Sequence, residues 1–457
     1  MKNSRRDPAS FRDPAGHVFE ANGEIFRTVA PPGSEDYAHF ISSGLAGKLQ
    51  RDGKIVEFIE VARDEDDQVL QLAPLPFVSY PYEWCFGQLR DAALLTLELM
   101  LESLDRGMIL KDASAFNVGW IGGKAVFIDH GSFAVYRENE PWRGYRQFVS
   151  HFLGPLLLMS KSDARQALQL RNFTDGLPLD YISRLLPVST WFEIYPLLHV
   201  HLHARWQARY SDSRQPLQAA AAPLPRKRLV AMLSCLLNFI GKMKAPRAAT
   251  EWGDYYGDTN YTAAAFAAKK RIVEACCAGL SPGRVIDFGA NDGEFSRIAE
   301  RYAGIVVAAD LDHGAVEHLY GSIRGDRGRK IHSVVQDLNN PSPGIGLFNR
   351  ERKSFLERAR GDLALGLALI HHLRIGANWS LEHIADLFAA AAPNALVEFV
   401  PKSDSQVKRL LRSRPDICAD WQLEAVAETL GKRYRSCEIM SIPESERTLI
   451  QLNGVLP

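Results

Sequence analysis

The feature that most constrains this chain is a change of rhythm at Pro282. From there on, short apolar runs alternate with longer helix-period stretches: VIDFG at 285–289, IVVAAD at 305–310, SVVQDL at 333–338, ALGLAL at 364–369 and ALVEFV at 395–400. Each run is too short for a helix and almost wholly apolar, which is the pattern of a strand covered on both faces. Strands of that kind separated by helices predict an α/β domain with a doubly wound, Rossmann-like parallel sheet over 282–457. Such sheets bind ligands beyond the carboxyl ends of their strands, so the site is to be sought there.

The first strand end carries Val285-Ile286-Asp287-Phe288-Gly289-Ala290-Asn291-Asp292-Gly293 before a new helix. The two glycines let the backbone pass close to a ligand at the start of a helix. A dinucleotide site would use G-x-G-x-x-G to seat a pyrophosphate. The spacing here is G-x-x-x-G, and Asp287 would repel a pyrophosphate while suiting a ligand with an amino group and a sulfonium. The second strand ends at Asp310, where a carboxylate can accept both hydroxyls of a ribose. The third ends at Gln336-Asp337-Leu338, where an acceptor can meet an adenine amino group. Residues 283–401 resemble a class I S-adenosylmethionine-dependent methyltransferase. The resemblance implies S-adenosyl-L-methionine as cofactor, with Asp287, Gly289, Asn291 and Gly293 in its loop, Asp310 on the ribose and Asp337 on the adenine.

After the fourth strand comes Leu369-Ile370-His371-His372-Leu373. This end of the sheet faces the transferred methyl, so His371 and His372 are the candidates for a base or for a group that positions the acceptor. The alternative is that one caps the strand and the other packs. Glu398, inside the fifth strand, reads as a carboxylate supporting the site from behind. The aromatic and acidic stretch Glu251–Tyr261 reads equally as a lid over the cofactor or as a connector. Residues 219–281 are thus a helical linker with a candidate lid.

The N-terminal half holds a second constellation. A helix-period stretch at 88–106 leads to RGMILKDASAFNVGWIGGKAVFIDHGSF at 106–133, whose two apolar runs flank Gly122-Gly123 as a β-hairpin. Asp112 and Asn117, followed by Asp129-His130-Gly131, resemble the catalytic loop of protein kinase-like phosphotransferases. That resemblance implies a catalytic base at Asp112 and metal ligands at Asn117 and Asp129. Departures are plain: Leu110-Lys111 replaces His-Arg, His130 replaces Phe, and no G-x-G-x-x-G loop or V-A-I-K strand exists, with Arg27 the nearest basic residue on a strand. Residues 17–218 therefore read as a degenerate α+β kinase-like domain with a helical extension, SYPYEW at 79–84 joining its lobes and residues 1–16 forming a flexible arm. The acid-free basic run 213–250 reads as a core helix with a solvated basic edge, in preference to a membrane-surface helix.

Stretches such as SYPYEW, LKDASAFNV, FIDHGSF, GYRQF, HFLGPLLL, IHHL and EFVPKSD are similar to the bacterial family that includes the rhizobial nodulation protein NoeA. This implies a methyltransferase linked to surface-polysaccharide or signal-oligosaccharide modification. Lys and Arg balance Asp and Glu at 54 each, so no field favours nucleic acid as a partner. The six cysteines include no CxxC pair, which excludes a zinc or disulfide framework and fits a cytoplasmic location. No metal ligand set is read at the methyltransferase site. No apolar run approaches the roughly 20 residues that span a bilayer. The expected activity is methyl transfer to a small-molecule or saccharide acceptor. The rivals are a phosphotransferase regulated by its C-terminal domain and a non-catalytic S-adenosylmethionine sensor. Oligomeric state is not encoded in any motif.

Overall fold

The computed structural model describes residues 5–64, 67–210, 223–246, 261–412 and 415–456. It divides into two units, one of Met1–Arg247 with Gly344–Lys353 and the other of Ala248–Pro343 with Ser354–Pro457.

In the first unit, β1 (Arg5–Arg6), β2 (Val18–Ala21), β3 (Glu24–Val29), β4 (Phe58–Asp64) and β5 (Asp67–Leu72) form an antiparallel sheet in the order β1-β2-β3-β5-β4. The β2–β3 turn places Asn22 and Gly23 at φ 53° and 80°, the left-handed pair a tight hairpin needs. Residues 5–16 do not form a free arm: Arg5 and Arg6 pair with β2, and Asp13 accepts from Arg27 on β3 at 2.7 Å. Two helices, Pro31–Ser42 and Leu45–Arg51, follow β3, parted by Gly44 at φ 71°.

The helix Phe86–Leu104 buries Leu89, Ala92, Ala93, Thr96, Leu97, Met100 and Leu104, one apolar face at helical spacing. Beyond it, β6 (Met108–Leu110) pairs with β9 (Phe133–Val135), and β7 (Val118–Ile121) pairs with β8 (Lys124–Phe127) across Gly122-Gly123. The rest of the unit is mainly helical. Helix Arg226–Lys242 buries Leu229, Leu233, Leu236 and Ile240 and packs along Phe86–Leu104, so the apolar stripe of the basic run is core. Residues 211–222 and 247–260, which include part of the expected 219–281 linker, lie outside the described residues.

The second unit is built on a seven-stranded sheet of β10 (Arg284–Phe288), β11 (Ile305–Asp310), β12 (Ile331–Val335), β13 (Leu363–Gly366), β14 (Asn394–Phe399), β15 (Tyr434–Ser441) and β16 (Thr448–Val455). Its order is β12-β11-β10-β13-β14-β16-β15. The five strands read from the sequence are parallel to one another. The antiparallel pair β15–β16 completes the sheet and was not among them. Chain order reverses beside β10, between β11 and β13, and the crevice outside those strand ends is where such a sheet binds ligands. Among the described residues, no helix is long and apolar enough to cross a membrane.

Candidate functional site

The loop after β10 turns back tightly because three of its residues are left-handed: Gly289 at φ 72°, Asn291 at 51° and Gly293 at 83°. The turn lays the Asn291 backbone N–H on Asp310 Oδ2 at 2.8 Å. Asp310 Oδ1 accepts from Asp312 N at 2.8 Å, so the strand-end carboxylate is fixed by backbone donors from both sides. Asp287 accepts from Ser296 Oγ at 2.5 Å. Gly293 begins helix Glu294–Glu300, and a Cβ there would come within 2.4 Å of Leu319 Cδ1. It shapes the loop without lining the cavity.

Asp287, Gly289, Asn291, Asp310, Gln336, Asp337 and His372 do line one cavity, at the carboxyl ends of β10 to β13. Apolar side chains, among them Phe295, Leu311, Leu338 and Leu373, make much of its wall. Asp337 is exposed and accepts from Asn339 N at 2.8 Å, while the adjacent Gln336 is buried and accepts from Ser342 Oγ. Burial pushes Asp287 up to about 6, the Asp310 charge adding to it and the Ser296 bond opposing it. Burial likewise raises Asp310 to about 6 against its backbone hydrogen bonds. Neither carboxyl has an ion-pair partner among the described residues. Such a site favours a ligand that brings cationic and hydroxyl groups to ionised acids. Among the described residues, no cluster of His, Cys, Asp and Glu could hold a metal.

The two histidines separate. His372 lines the cavity, and burial lowers it to about 4. His371 is fully buried away from the lining, with neither ring nitrogen hydrogen-bonded among the described residues, and its ring packs 4.1 Å from His372. Burial and the neighbouring His372 hold His371 neutral as well.

A buried ionic group backs the cavity. Glu398 on β14 meets Lys269 Nζ at 2.5 Å and Arg447 Nη1 at 3.6 Å, and it accepts from the Tyr261 hydroxyl. Burial works against its charge, but the two cations hold it below the usual carboxylate range. Arg447 also reaches Asp404 at 2.8 Å. Tyr261 and Lys269 line the cavity. Sequence reasoning picked out Glu398 but missed Lys269 and Arg447. The available signal was Lys269 in step with the buried Ala265, Val273 and Cys276 of helix Ala263–Leu280. The lid stretch lies outside the described residues except for Tyr261.

In the first unit, Asp112, Asn117 and Asp129 converge, but the Asp129 charge is already matched. Asp129 Oδ1 meets Arg27 Nη1 at 2.7 Å and Gly131 N at 3.2 Å, and Oδ2 accepts from Ser132 Oγ. Arg27 is buried, and a Cβ at Gly131 would fall 2.2 Å from its Nη2, so the glycine makes room for the guanidinium. Burial works against the charge of Asp129, but Arg27 and the hydrogen bonds from Ser132 and Gly131 together keep Asp129 below its usual range. His130 Nε2 donates to Val56 O at 2.9 Å and packs edge-on against Phe58. Asp112 Oδ1 accepts from Ser114 N at 2.9 Å, and burial, then the Asp129 charge, raises Asp112.

No family model matches the chain. The chain is similar to Nodulation protein NoeA of Rhizobium meliloti (strain 1021), with 34% identity over 456 residues, 97% of this chain and 95% of that protein. Among solved structures it is similar to the N-methyltransferase NodS from Bradyrhizobium japonicum WM9 in complex with S-adenosyl-L-homocysteine, at 10% identity over 45% of this chain and 93% of that one, TM-score 0.32. Magnesium protoporphyrin IX methyltransferase from Synechocystis PCC 6803 with bound SAM aligns at 16% identity over 44% and 89%, TM-score 0.30. The bifunctional kinase-methyltransferase WbdD aligns at 15% identity over 45% and 43%, TM-score 0.31.

Proposed function

The chain belongs to the family of the nodulation protein NoeA, and on that premise we propose that it is an enzyme, an S-adenosylmethionine-dependent methyltransferase whose cofactor occupies the cleft at the ends of β10 to β13. The observation that carries this reading is the pair of carboxyls, buried Asp287 and half-buried Asp310, which face one cavity without an ion-pair partner among the described residues. In this reading Asp287 meets the amino end of the cofactor, Asp310 the ribose hydroxyls and Asp337 with Gln336 the adenine. Gly289 lets the loop pass close by, since its φ of 72° suits glycine and a Cβ there would lie 3.2 Å from Leu369.

Bound, the cofactor supplies a methyl group on a sulfonium. The protein's part is to align an acceptor with it and keep water out. Phe295, Leu338 and Leu373, all buried, supply the dry wall. His372 is neutral at physiological pH, and a ring that titrates near 4 is a weak base. We assign it to orienting the acceptor by a hydrogen bond rather than to removing its proton, with His371 supporting its ring from behind. A saccharide or small molecule is the acceptor class we favour, on the strength of the family.

We read the first unit as kinase-like in architecture and disabled for phosphoryl transfer. Arg27 supports this, because its guanidinium sits on the carboxylate that would hold a metal ion. Calorimetry tests both assignments on the full chain. S-adenosylmethionine should bind and ATP–Mg²⁺ should not. Heat from ATP–Mg²⁺ that disappears in Asp129→Asn, with none from S-adenosylmethionine, would reverse the assignment of the two units. Release of S-adenosylhomocysteine against fractionated cell extract then identifies the acceptor.

A further inference from the structure

Two acid-free helical stretches meet on the first unit. Ile194–Tyr210 is one unbroken helical run, Arg226–Lys242 is the other, and neither contains Asp or Glu. They join where Tyr195 stacks on Phe239, ring centroids 4.1 Å apart. The second helix commits its apolar stripe to the core. The first leaves large apolar side chains in solvent: Ile194 is 65% exposed, Leu198 51% and Trp206 65%, and just before them Val188 is 76% and Phe192 88% exposed. Ile194 and Leu198 are one helical turn apart, and Trp206 follows two further turns along. Scattered exposed apolar residues need no explanation, but a run of five including Phe and Trp does.

The charge beside this face is basic. Arg205 is exposed and lies 4.4 Å over the Trp191 ring. Lys242 and Lys244 are exposed at the end of the second helix, one turn beyond the Tyr195–Phe239 stack. Glu193 is already bonded to Lys161 Nζ at 2.7 and 2.9 Å.

We propose that this face docks on an anionic lipid surface. Phe192, Ile194, Leu198 and Trp206 enter the headgroup boundary, and Arg205, Lys242 and Lys244 meet lipid phosphates. An amphipathic segment with aromatic and aliphatic groups on one side and basic groups beside them lies in the plane of a bilayer rather than crossing it. A second copy of the chain is a poorer occupant. A two-fold interface sets a face against itself, and here that would bring lysines and arginine together.

The test is sedimentation of the full chain with phosphatidylcholine vesicles, with and without phosphatidylglycerol. Wild type should sediment with the anionic vesicles and largely stay behind with neutral ones. Phe192→Ser with Trp206→Ser should lower partitioning about tenfold or more, because the inserted area is lost. Lys242→Glu with Lys244→Glu should lower it about fivefold per lysine on anionic vesicles and leave the neutral background alone. All four side chains are exposed, so an unchanged melting temperature should accompany each result. The idea fails if wild type stays in the supernatant or if the Phe192–Trp206 variant binds like wild type. It fails equally if light scattering shows a wild-type dimer that this variant converts to monomer, which would make a second copy the occupant.

Discussion

The two units each gather three acidic or amide side chains around a turn, and they treat the charge in opposite ways. In the first, Asp129 is answered from inside by Arg27, and the polar atoms around it are spent on Gly131, Ser132 and Ser114. In the second, Asp287 is buried and Asp310 half-buried, among the described residues their hydrogen-bond donors are a hydroxyl and backbone N–H groups, and both are pushed up to about 6. Burial of an ionised acid without a counter-charge is costly, and it persists where a ligand supplies what is missing. On the proposed reading, the difference separates a structural ion pair from a binding site, although the two are much alike in sequence.

The comparison breaks most visibly at Arg27. Arg27→Ala leaves Asp129 buried without its cation and should destabilise the first unit by about 3–5 kcal/mol. Urea unfolding followed by tryptophan fluorescence checks this, and a loss under 1 kcal/mol would mean that the pair is not structural. The opposite signature belongs to the second unit. Asp310→Ala should weaken S-adenosylmethionine binding by at least about tenfold without comparable loss of stability, and calorimetry beside a melting curve separates the two effects.

A smaller effect is the pH dependence. Both acids move from 3.8 in the unfolded chain to about 6 in the fold. Between those values the folded protein holds protons the unfolded chain has released, so their contribution to stability falls as pH rises through that window and stays lost above it. Cofactor binding needs the ionised forms and runs the other way. Affinity should be flat above pH 7 and fall below 6 by up to about tenfold per pH unit for each proton that must leave. Asp287→Asn should reduce that slope; a wild-type affinity independent of pH between 5 and 8 would contradict the assignment.

Much of the second unit was legible because its signals are local. Asp287, Gly289, Asn291, Asp310 and Asp337 lie at or just beyond strand ends that a few apolar residues announce, and they line one cavity. What was not legible depends on partners remote in the chain. Glu398 gains its meaning from Lys269 and Arg447, on different elements. Strand β15 escaped notice because its side chains are mostly exposed at the sheet edge and carry no apolar alternation. His371 and His372 look equivalent in sequence, and only the helical turn at 372–376 sends one to the cavity and the other inward. In the first unit the hairpin at Gly122-Gly123 was readable. That Arg27 closes onto Asp129 was not, because β3 and the Asp129 turn meet only in the tertiary fold.

The smallest expected effect is also the sharpest test of the contrast. Asp112 stands where the kinase-like resemblance would put a base, yet its charge is disfavoured by burial and by Asp129. An asparagine there keeps an oxygen for Ser114 N and removes the like-charge repulsion. Asp112→Asn should therefore change stability by no more than about 1 kcal/mol, in either direction, and leave S-adenosylhomocysteine release within about twofold of wild type. If it instead abolished turnover at full cofactor occupancy and unchanged stability, the first unit would be taking part in chemistry despite Arg27. The division between a matched, structural constellation and an unmatched, binding one would then be wrong at its first member.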